Sequence, residues 1–138
     1  MLKVYLDAST KGNPGPSGGG LLIVGEDLHE QHAFVLPTLT NHQAEFAAMH
    51  HALEFLLTKE WQDQTIMLYT DSKVVAQTID KNYTNNPDFR KYLEEIQELL
   101  PYFTLLIVQW IPESQNKGAD HLARQGLAKA MKLKDRRQ

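Results

Sequence analysis

Four acidic residues of this chain lie where an apolar segment meets a turn or the start of a helix: Asp7, Glu45, Asp71 and Asp120. Any one of them alone could be a helix cap or a solvated turn residue, and Asp71 and Asp120 fit those roles. Asp7 and Glu45 fit them less well, because Asp7 ends an apolar strand pattern and Glu45 lies on or beside an apolar helical stripe. A carboxylate in such surroundings is costly unless it is paired or binds a cation.

If the four carboxylates converge, their mutual repulsion prevents all of them from staying ionised unless cations lie between them. The chain has no cysteine, so oxygen or imidazole ligands must hold any metal ion. Hard divalent ions such as Mg²⁺ or Mn²⁺ match carboxylate oxygens. Two such ions roughly 3.5–4 Å apart can stabilise the attacking water and the leaving oxygen of a phosphodiester displacement. The acids therefore predict a substrate that contains a phosphate chain.

The first acid follows a strand pattern. Alternating apolar side chains over residues 2–6 predict a strand that ends at Asp7. The glycines and prolines of residues 12–16 then predict a tight, rigid loop. Residues 18–25 and 31–36 predict two more strands, and the three strands together predict an antiparallel meander.

The next two acids accompany predicted helices. Thr40 and Gln43 have the spacing of a capping box, which predicts a helix with Glu45 in its first turn. A nearly continuous apolar run over residues 66–70 predicts a strand covered on both faces. Asp71 lies at the junction between that strand and a helix, the end of a strand at which open α/β sheets bind ligands.

The remainder of the chain contains two further helices and one strand. Residues 87–100 predict a helix, residues 104–111 a strand, and the pattern from Ala119 a final helix with Asp120 in its first turn. Residues 129–138 form a basic end. A basic end is usually a solvated surface, and the alternative is that it adds affinity for phosphate.

Composition limits the class of protein. A chain of 138 residues with 42% hydrophobic and 22% charged residues suits one globular domain. The N-terminus lacks the apolar stretch of a signal peptide, and no run approaches ~20 apolar residues, so we expect a cytoplasmic protein with no membrane partner. The net charge of −3 argues weakly against nucleic-acid binding, but without the four acids it becomes +1.

Ordered motifs along the chain resemble those of the type 1 ribonuclease H family, within the wider ribonuclease H-like fold. The resemblance covers residues 2–130, and the order and spacing of the motifs make it specific. The motifs comprise residues 7–9 with 12–16, residues 40–45, residues 69–72, residues 110–112 and residues 116–123.

This resemblance implies an α/β fold with a five-stranded mixed sheet, in which an antiparallel meander precedes parallel strands and helices cover both faces. It implies a ribonuclease H-like domain over residues 1–131, followed by a basic C-terminal tail over residues 132–138. We expect the protein to be a monomer.

The activity implied is endonucleolytic hydrolysis of the RNA strand of an RNA–DNA hybrid, with two Mg²⁺ or Mn²⁺ ions bound. Recognition of the ribose 2′-hydroxyl, without reading of bases, would make cleavage largely independent of sequence. The resemblance assigns catalysis and metal binding to Asp7, Glu45, Asp71 and Asp120. It implies that Asn13, Asn41 and His42 contact the nucleic-acid backbone and that Thr40 binds a phosphate of the DNA strand. It places Ser72 and Lys73 where the nucleic-acid strand passes the third acid, Asp71.

Three departures from the family pattern affect this interpretation. Ala8 replaces the usual glycine after the first aspartate. Classical members have a basic, Trp-containing protrusion where residues 79–89 of this chain hold only one cation, Lys81. Residues 113–117 lack the histidine that classical members have in this loop. His121 points away from Asp120 on a helix and is interpreted as structural. We expect weaker hybrid affinity and a reduced rate. The alternative is a ribonuclease H-like nucleic-acid-binding module with weak or lost catalysis; a transposase or junction-cleaving enzyme on the same fold is disfavoured by the motifs.

Overall fold

The structure is a computed structural model that describes residues 1–136. Its strands and helices follow one another in the order β1–β2–β3–α1–β4–α2–α3–β5–α4, with two short 3₁₀ turns at Leu100–Tyr102 and Glu113–Gln115. The bounds are β1 (Leu2–Thr10), β2 (Gly15–Gly25), β3 (Leu28–Leu39), α1 (Asn41–Thr58), β4 (Thr65–Thr70), α2 (Lys73–Lys81), α3 (Pro87–Leu99), β5 (Leu105–Trp110) and α4 (Lys117–Arg136).

The five strands form one mixed sheet in the order β3-β2-β1-β4-β5. Strands β1, β2 and β3 pair antiparallel, whereas β4 pairs parallel with both β1 and β5. The predicted meander followed by parallel strands is therefore confirmed. The parallel pairing places the carboxyl ends of β1 and β4 at the same edge of the sheet.

Strand β3 is longer than the sequence pattern predicts. It continues past Pro37 to Leu39, which pairs with Gly15, and the register shifts between Gly15 and Ser17. The shift opposes one residue of β2 to two of β3, and Pro37 lies in this irregularity on an edge strand. A proline costs a strand little in such a place, because no ladder hydrogen bond is required of its nitrogen.

Helix α1 covers one face of the sheet and carries much of the core. Its fully buried side chains include Phe46, Met49, Leu53 and Leu56, with alanines between them. The predicted capping box is present, since Thr40 Oγ1 accepts from the Gln43 amide and Gln43 Oε1 accepts from the Thr40 amide. This cap fixes where α1 begins relative to the sheet.

Helix α4 covers the other face at very close range. A Cβ on Gly20 would collide with the Ala119 carbonyl and the Ala123 amide, and one on Gly18 would collide with Gly126. Gly20 pairs with Asp7 across β1 and β2. Because glycine leaves room for the helix backbone beside it, the start of α4 lies close to the end of β1.

The basic segment predicted as a tail is helical as far as the structure describes it. Helix α4 runs through Arg136, so residues 132–136 continue the domain's last helix, while Arg137 and Gln138 lie outside the described residues. The division of the chain at residue 131 stays a prediction. No helix within residues 1–136 has the length and apolar character needed to cross a membrane.

Candidate active site

One polar cleft brings the four predicted acids together. It has a volume of about 240 Å³, and its lining consists of Asp7, Ala8, Glu45, Asp71, Glu113, Asp120 and Arg124. Each acid comes from a different part of the fold: β1, α1, the junction of β4 with α2, and the first turn of α4. Glu45 differs slightly from the sequence expectation, because it is the fifth residue of α1 and so begins the second turn.

Two neighbours hold the side chain of Glu45. The Ser72 hydroxyl donates to Glu45 Oε2 at 2.7 Å, and His42 Nδ1 lies 3.2 Å from the same oxygen. Ser72 Oγ also accepts from the Val75 amide as the N-cap of α2. Ser72 is only 6% exposed, so the structure places its hydroxyl against Glu45 and the helix backbone. Its predicted contact with substrate stays a prediction.

A buried amide holds Asp71. Asn116 Nδ2 donates to the Leu6 carbonyl at 2.8 Å and to Asp71 Oδ2 at 3.1 Å, and Asn116 is 1% exposed. Trp110 Nε1 donates to the Asp71 carbonyl at 3.1 Å. Asn116 therefore ties the end of β4 to β1 one residue before Asp7. Asn116 belongs to the sequence motif of residues 116–123, which by itself does not indicate this role.

The carboxyl groups in this cleft disturb one another's ionisation. Burial and then the charge of Asp71 raise the pKa of Asp7 to about 8, with a further contribution from Asp120 and an opposing hydrogen bond with the Ala8 backbone. Burial also raises the pKa of Asp71, opposed by the Asn116 hydrogen bond and reinforced by the charges of Glu113 and Glu45. Uncompensated negative charge therefore accumulates where the four acids meet.

The chemistry of this donor set suits hard divalent cations. Every acid offers carboxylate oxygens, the ligands that Mg²⁺ and Mn²⁺ prefer, and a cation would offset both the burial and the repulsion from Asp71 that raise the pKa of Asp7. Within residues 1–136, no group of three or more acidic or histidine side chains is already arranged as a metal-binding cluster. The support for metal binding is therefore the chemical type of these side chains and their convergence on one cleft.

Besides Ala8, two residues that line the cleft, Glu113 and Arg124, were not predicted as site residues. Arg124 Nε lies 3.3 Å from Asp120 Oδ2, and its side chain is 73% exposed. Glu113 lies in the 3₁₀ turn after β5, within residues 113–117, which contain no histidine. The spacing of four residues between Asp120 and Arg124 could have indicated a helical ion pair, whereas nothing in the local pattern indicates Glu113.

The predicted substrate-binding residues lie around the start of α1 and α2. Asn13 Oδ1 accepts from the Asn41 amide at 3.0 Å, so the glycine- and proline-rich loop is attached to the helix start. Thr40 is the N-cap, and Asn41 and His42 are exposed beside it. Lys73 is exposed, with Nζ 4.9 Å from the centre of the Trp110 ring.

His121 does not line the acid cleft. It is exposed on α4 one residue after Asp120, and the helical offset of about 100° turns successive side chains apart. Two histidines of β3 and α1 also pack away from the cleft, since His51 stacks on Phe34 and His32 packs on Phe55. The cleft thus holds carboxylates and one guanidinium.

The sheet order, the helices on both faces and the acids at the shared strand edge define a ribonuclease H-like domain. A family model described as "Reverse transcriptase-like" matches residues 5–126. The chain belongs to this family, and the resemblance to type 1 ribonucleases H is confirmed by its relatives.

Among those relatives, EbsB of Enterococcus faecalis, named as a suspected hydrolase, is 48% identical over 129 residues, which span 94% of this chain and 96% of that protein. Ribonuclease HI of Halobacterium salinarum is 33% identical over 126 residues, and the chain spans 62% of its length.

Solved structures give the same assignment. RNase H1 from Halobacterium salinarum has a TM-score of 0.83 at 31% identity, covering 94% of this chain and 98% of that one. LC11-RNase H1, isolated from compost and solved in complex with an RNA/DNA hybrid, has a TM-score of 0.85 at 25% identity, covering 95% and 99%. The expected α/β, ribonuclease H-like fold is confirmed.

Proposed function

We propose that this protein is a metal-dependent endonuclease that hydrolyses the RNA strand of RNA–DNA hybrids, largely independently of sequence. The observation that carries the proposal is the convergence of Asp7, Glu45, Asp71 and Asp120 from four elements on one cleft. The relatives named ribonuclease H and the neighbour solved with an RNA/DNA hybrid support this substrate.

The four carboxylates are the residues that would hold two Mg²⁺ or Mn²⁺ ions. Bound there, such ions supply charge stabilisation for the attacking water and for the leaving oxygen of a phosphodiester. The protein's own part is to hold the ligands in place: Ser72 fixes Glu45, and Asn116 fixes Asp71. With a pKa of about 8, Asp7 carries a proton at neutral pH in the metal-free protein, and this proton must leave when a cation binds.

Selection of RNA would fall to the surface beside the cleft. Asn13 and Asn41 offer side-chain amides at the joined loop and helix start, and a ribose 2′-hydroxyl can both donate to and accept from such groups. The exposed side chain of His42 adds a further polar group for the nucleic-acid backbone beside them. None of these groups needs to read a base edge, which is why sequence should matter little.

Cleavage of an end-labelled hybrid by the purified protein with Mg²⁺ or Mn²⁺ tests the proposal. Asp71→Asn removes one ligand charge, and Asp80→Asn makes the same chemical change at an exposed position of α2. We expect the parent protein and Asp80→Asn to cut only the RNA strand, Asp71→Asn to cut nothing, and duplex DNA to stay intact.

The departures noted in the sequence define the second candidate function. Residues 113–117 contain no histidine, and residues 79–89 contain one cation, Lys81. If the parent protein binds the hybrid and cuts nothing with either metal, the nuclease proposal fails and a nucleic-acid-binding module replaces it. Cleavage of duplex DNA at a similar rate would overturn the assignment of the substrate.

A further inference from the structure

Another candidate site lies at the far end of α4, away from the acid cleft. A cavity of about 340 Å³ is lined by Lys11 and Pro16 from the loop between β1 and β2, and by Met131, Lys134 and Asp135 from the last turns of α4. Two lysines from separate elements thus face one space. We call Lys11 and Lys134 the basic lip.

The loop holds the backbone at Lys11 in a fixed position. The Lys11 amide donates to the Pro16 carbonyl at 3.0 Å and closes the loop. Gly15 packs directly beneath the Lys11 carbonyl, where a Cβ would collide with that oxygen. The same loop is attached to α1 through Asn13 and Asn41. Lys11 is exposed at the tip of this loop, so its side chain extends into solvent from a fixed backbone position.

Lys134 lies on the same face of α4 as the residues that pack on the sheet. Leu122, Gly126 and Ala130 are buried at intervals of four residues, and Lys134 is the next position in that series. The core-facing stripe therefore ends in an ammonium group that projects towards the loop. Lys129, by contrast, donates to the Ala33 carbonyl at 3.1 Å and stays on the β3 side.

Neither lysine of the lip forms an ion pair within residues 1–136. Asp135 is the one acid among the residues that line their cavity, against two lysines, and Arg136 in the same last turn adds positive charge. A chain with a net charge of −3 thus presents positive charge at this place. Such a surface suits a polyanion.

The lip and the acid cleft lie along one direction. As α4 proceeds, its contact with β2 moves from Gly20 to Gly18, so α4 runs alongside β1 in the direction in which β1 leaves Asp7. Lys11 is four residues beyond Asp7 on a strand, or roughly 13 Å. Lys134 is fourteen residues beyond Asp120 on a helix, or roughly 21 Å. A nucleic-acid duplex rises by about 3.4 Å per nucleotide of each strand. A hybrid that lies along β1 and α4 would therefore span these separations with about four to six nucleotides.

We propose that Lys11 and Lys134 bind the phosphate backbone of the hybrid about four to six nucleotides from the scissile phosphate. This inference rests on the proposed function, since the lip would act on the same substrate as the cleft. It gives the chain a phosphate contact at the end of α4, on a different part of the surface from residues 79–89, where classical relatives carry their basic protrusion.

Binding of a fluorescent hybrid, measured as a function of salt concentration, tests the lip. Lys11→Ala/Lys134→Ala is compared with Lys3→Ala/Lys91→Ala, which removes two exposed lysines from the start of β1 and from α3. All proteins carry Asp71→Asn so that the hybrid is not cut. We expect the slope of log affinity against log salt to shrink by about 1.4–1.8 for the lip variant, at about 0.7–0.9 per phosphate contact, and to stay unchanged for the control.

Two further measurements separate a contact at this place from a general loss of charge. Lys11→Arg/Lys134→Arg should keep the parent slope, because arginine also neutralises a phosphate. Hybrids that are cut back to about three base pairs on one side of the cleavage position should bind the parent and the lip variant equally, while trimming of the other side should leave the difference intact. Equal slopes for the lip variant and the control would overturn the proposal.

Failure of the lip can be told apart from failure of the proposed function. The protein without Asp71→Asn is assayed for cleavage of the same hybrid. Cleavage combined with equal salt slopes means that only the lip is wrong. Absence of both cleavage and hybrid binding would overturn the lip together with the proposed function, because the lip would then have no such ligand.

Discussion

Asn116 and Asp71 are 45 positions apart in the sequence, and yet the Asn116 amide donates to Asp71 Oδ2 at 3.1 Å inside the fold. The same nitrogen donates to the Leu6 carbonyl at 2.8 Å. One buried side chain thus sets the spacing between the end of β4 and Leu6 of β1. Asp7 is the next residue of β1 and Asp71 directly follows β4, so both acids depend on Asn116 for their relative position.

Replacement of Asn116 should therefore damage the cleft more than the fold. Asn116→Ala leaves the buried Leu6 carbonyl without its side-chain donor, and we expect a loss of about 1–3 kcal/mol in the free energy of unfolding. We also expect cleavage per folded molecule to fall by about 10–100-fold, as for other residues that orient metal ligands. Denaturant unfolding and cleavage at several metal concentrations measure the two effects; unchanged activity with reduced stability would assign Asn116 to folding alone.

Ser72 has two roles that a matched variant can separate. Ser72→Ala removes the N-cap of α2 and the hydrogen bond to Glu45, whereas Asn86→Ala removes the N-cap of α3 at a place outside the cleft lining. Each should cost about 1 kcal/mol of stability. Only Ser72→Ala should raise the metal concentration that gives half-maximal cleavage. The same metal requirement for both variants would show that the bond to Glu45 does not matter for ion binding.

Gly20 should tolerate no side chain. Gly20→Ala places a Cβ against the Ala119 carbonyl, so α4 must shift away from the sheet and carry Asp120 with it. We expect a loss of about 1–3 kcal/mol in the free energy of unfolding, as for other overpacked sites, together with reduced cleavage. Gly25→Ala is the control, since its Cβ meets the flexible end of Leu2. Equal stability of the two variants, measured by thermal unfolding, would contradict this account of the α4 contact.

The pKa of Asp7 predicts how the metal-free protein responds to pH. Below the ordinary pKa near 3.8, Asp7 is protonated in both the native and the unfolded chain; between that value and about 8, only the native chain keeps the proton. The contribution of Asp7 to stability is therefore fully present at acid pH and is lost as the pH rises towards 8.

Asp7→Asn tests this assignment, because asparagine cannot ionise. In the presence of a chelator, the variant should gain stability relative to the parent as the pH rises from 5 to 8. The gain should reach roughly 2 kcal/mol or more, because a tenfold change in an acid's dissociation constant corresponds to about 1.4 kcal/mol. A difference between the two proteins that is independent of pH would mean that Asp7 ionises normally.

Much of this site could be predicted from the sequence because the acids interrupt apolar patterns. Asp71 directly follows β4 as predicted, whereas β1 continues past Asp7 to Thr10, so Asp7 lies within its strand. The parallel pairing of Leu6 with Thr70 brings the two acids together. The capping box correctly predicted where α1 begins, and Glu45 lies just past the predicted first turn. The bond from Ser72 that holds the Glu45 side chain could not be predicted, because it joins residues 27 positions apart.

The features that the sequence could not predict are tertiary. The Asn116 bridge joins loops that no local pattern relates, and Glu113 enters the cleft only because a 3₁₀ turn follows β5. The extension of β3 past Pro37 depends on a register shift against β2. Residues 132–136 were predicted to be a basic tail from their composition, and the structure instead continues helix α4 through them.

If the proposed ions bind, the origin of the four acids in four separate elements would make the cation concentration a variable in the folding equilibrium. An ion held by ligands as distant in the chain as Asp7 and Asp120 joins the two ends of the domain, and the unfolded chain has no equivalent site. Free ion at 100 times its dissociation constant would then add about 2.7 kcal/mol to the free energy of unfolding. Magnesium supply would thereby set how long the domain survives thermal or proteolytic challenge, apart from any effect on cleavage.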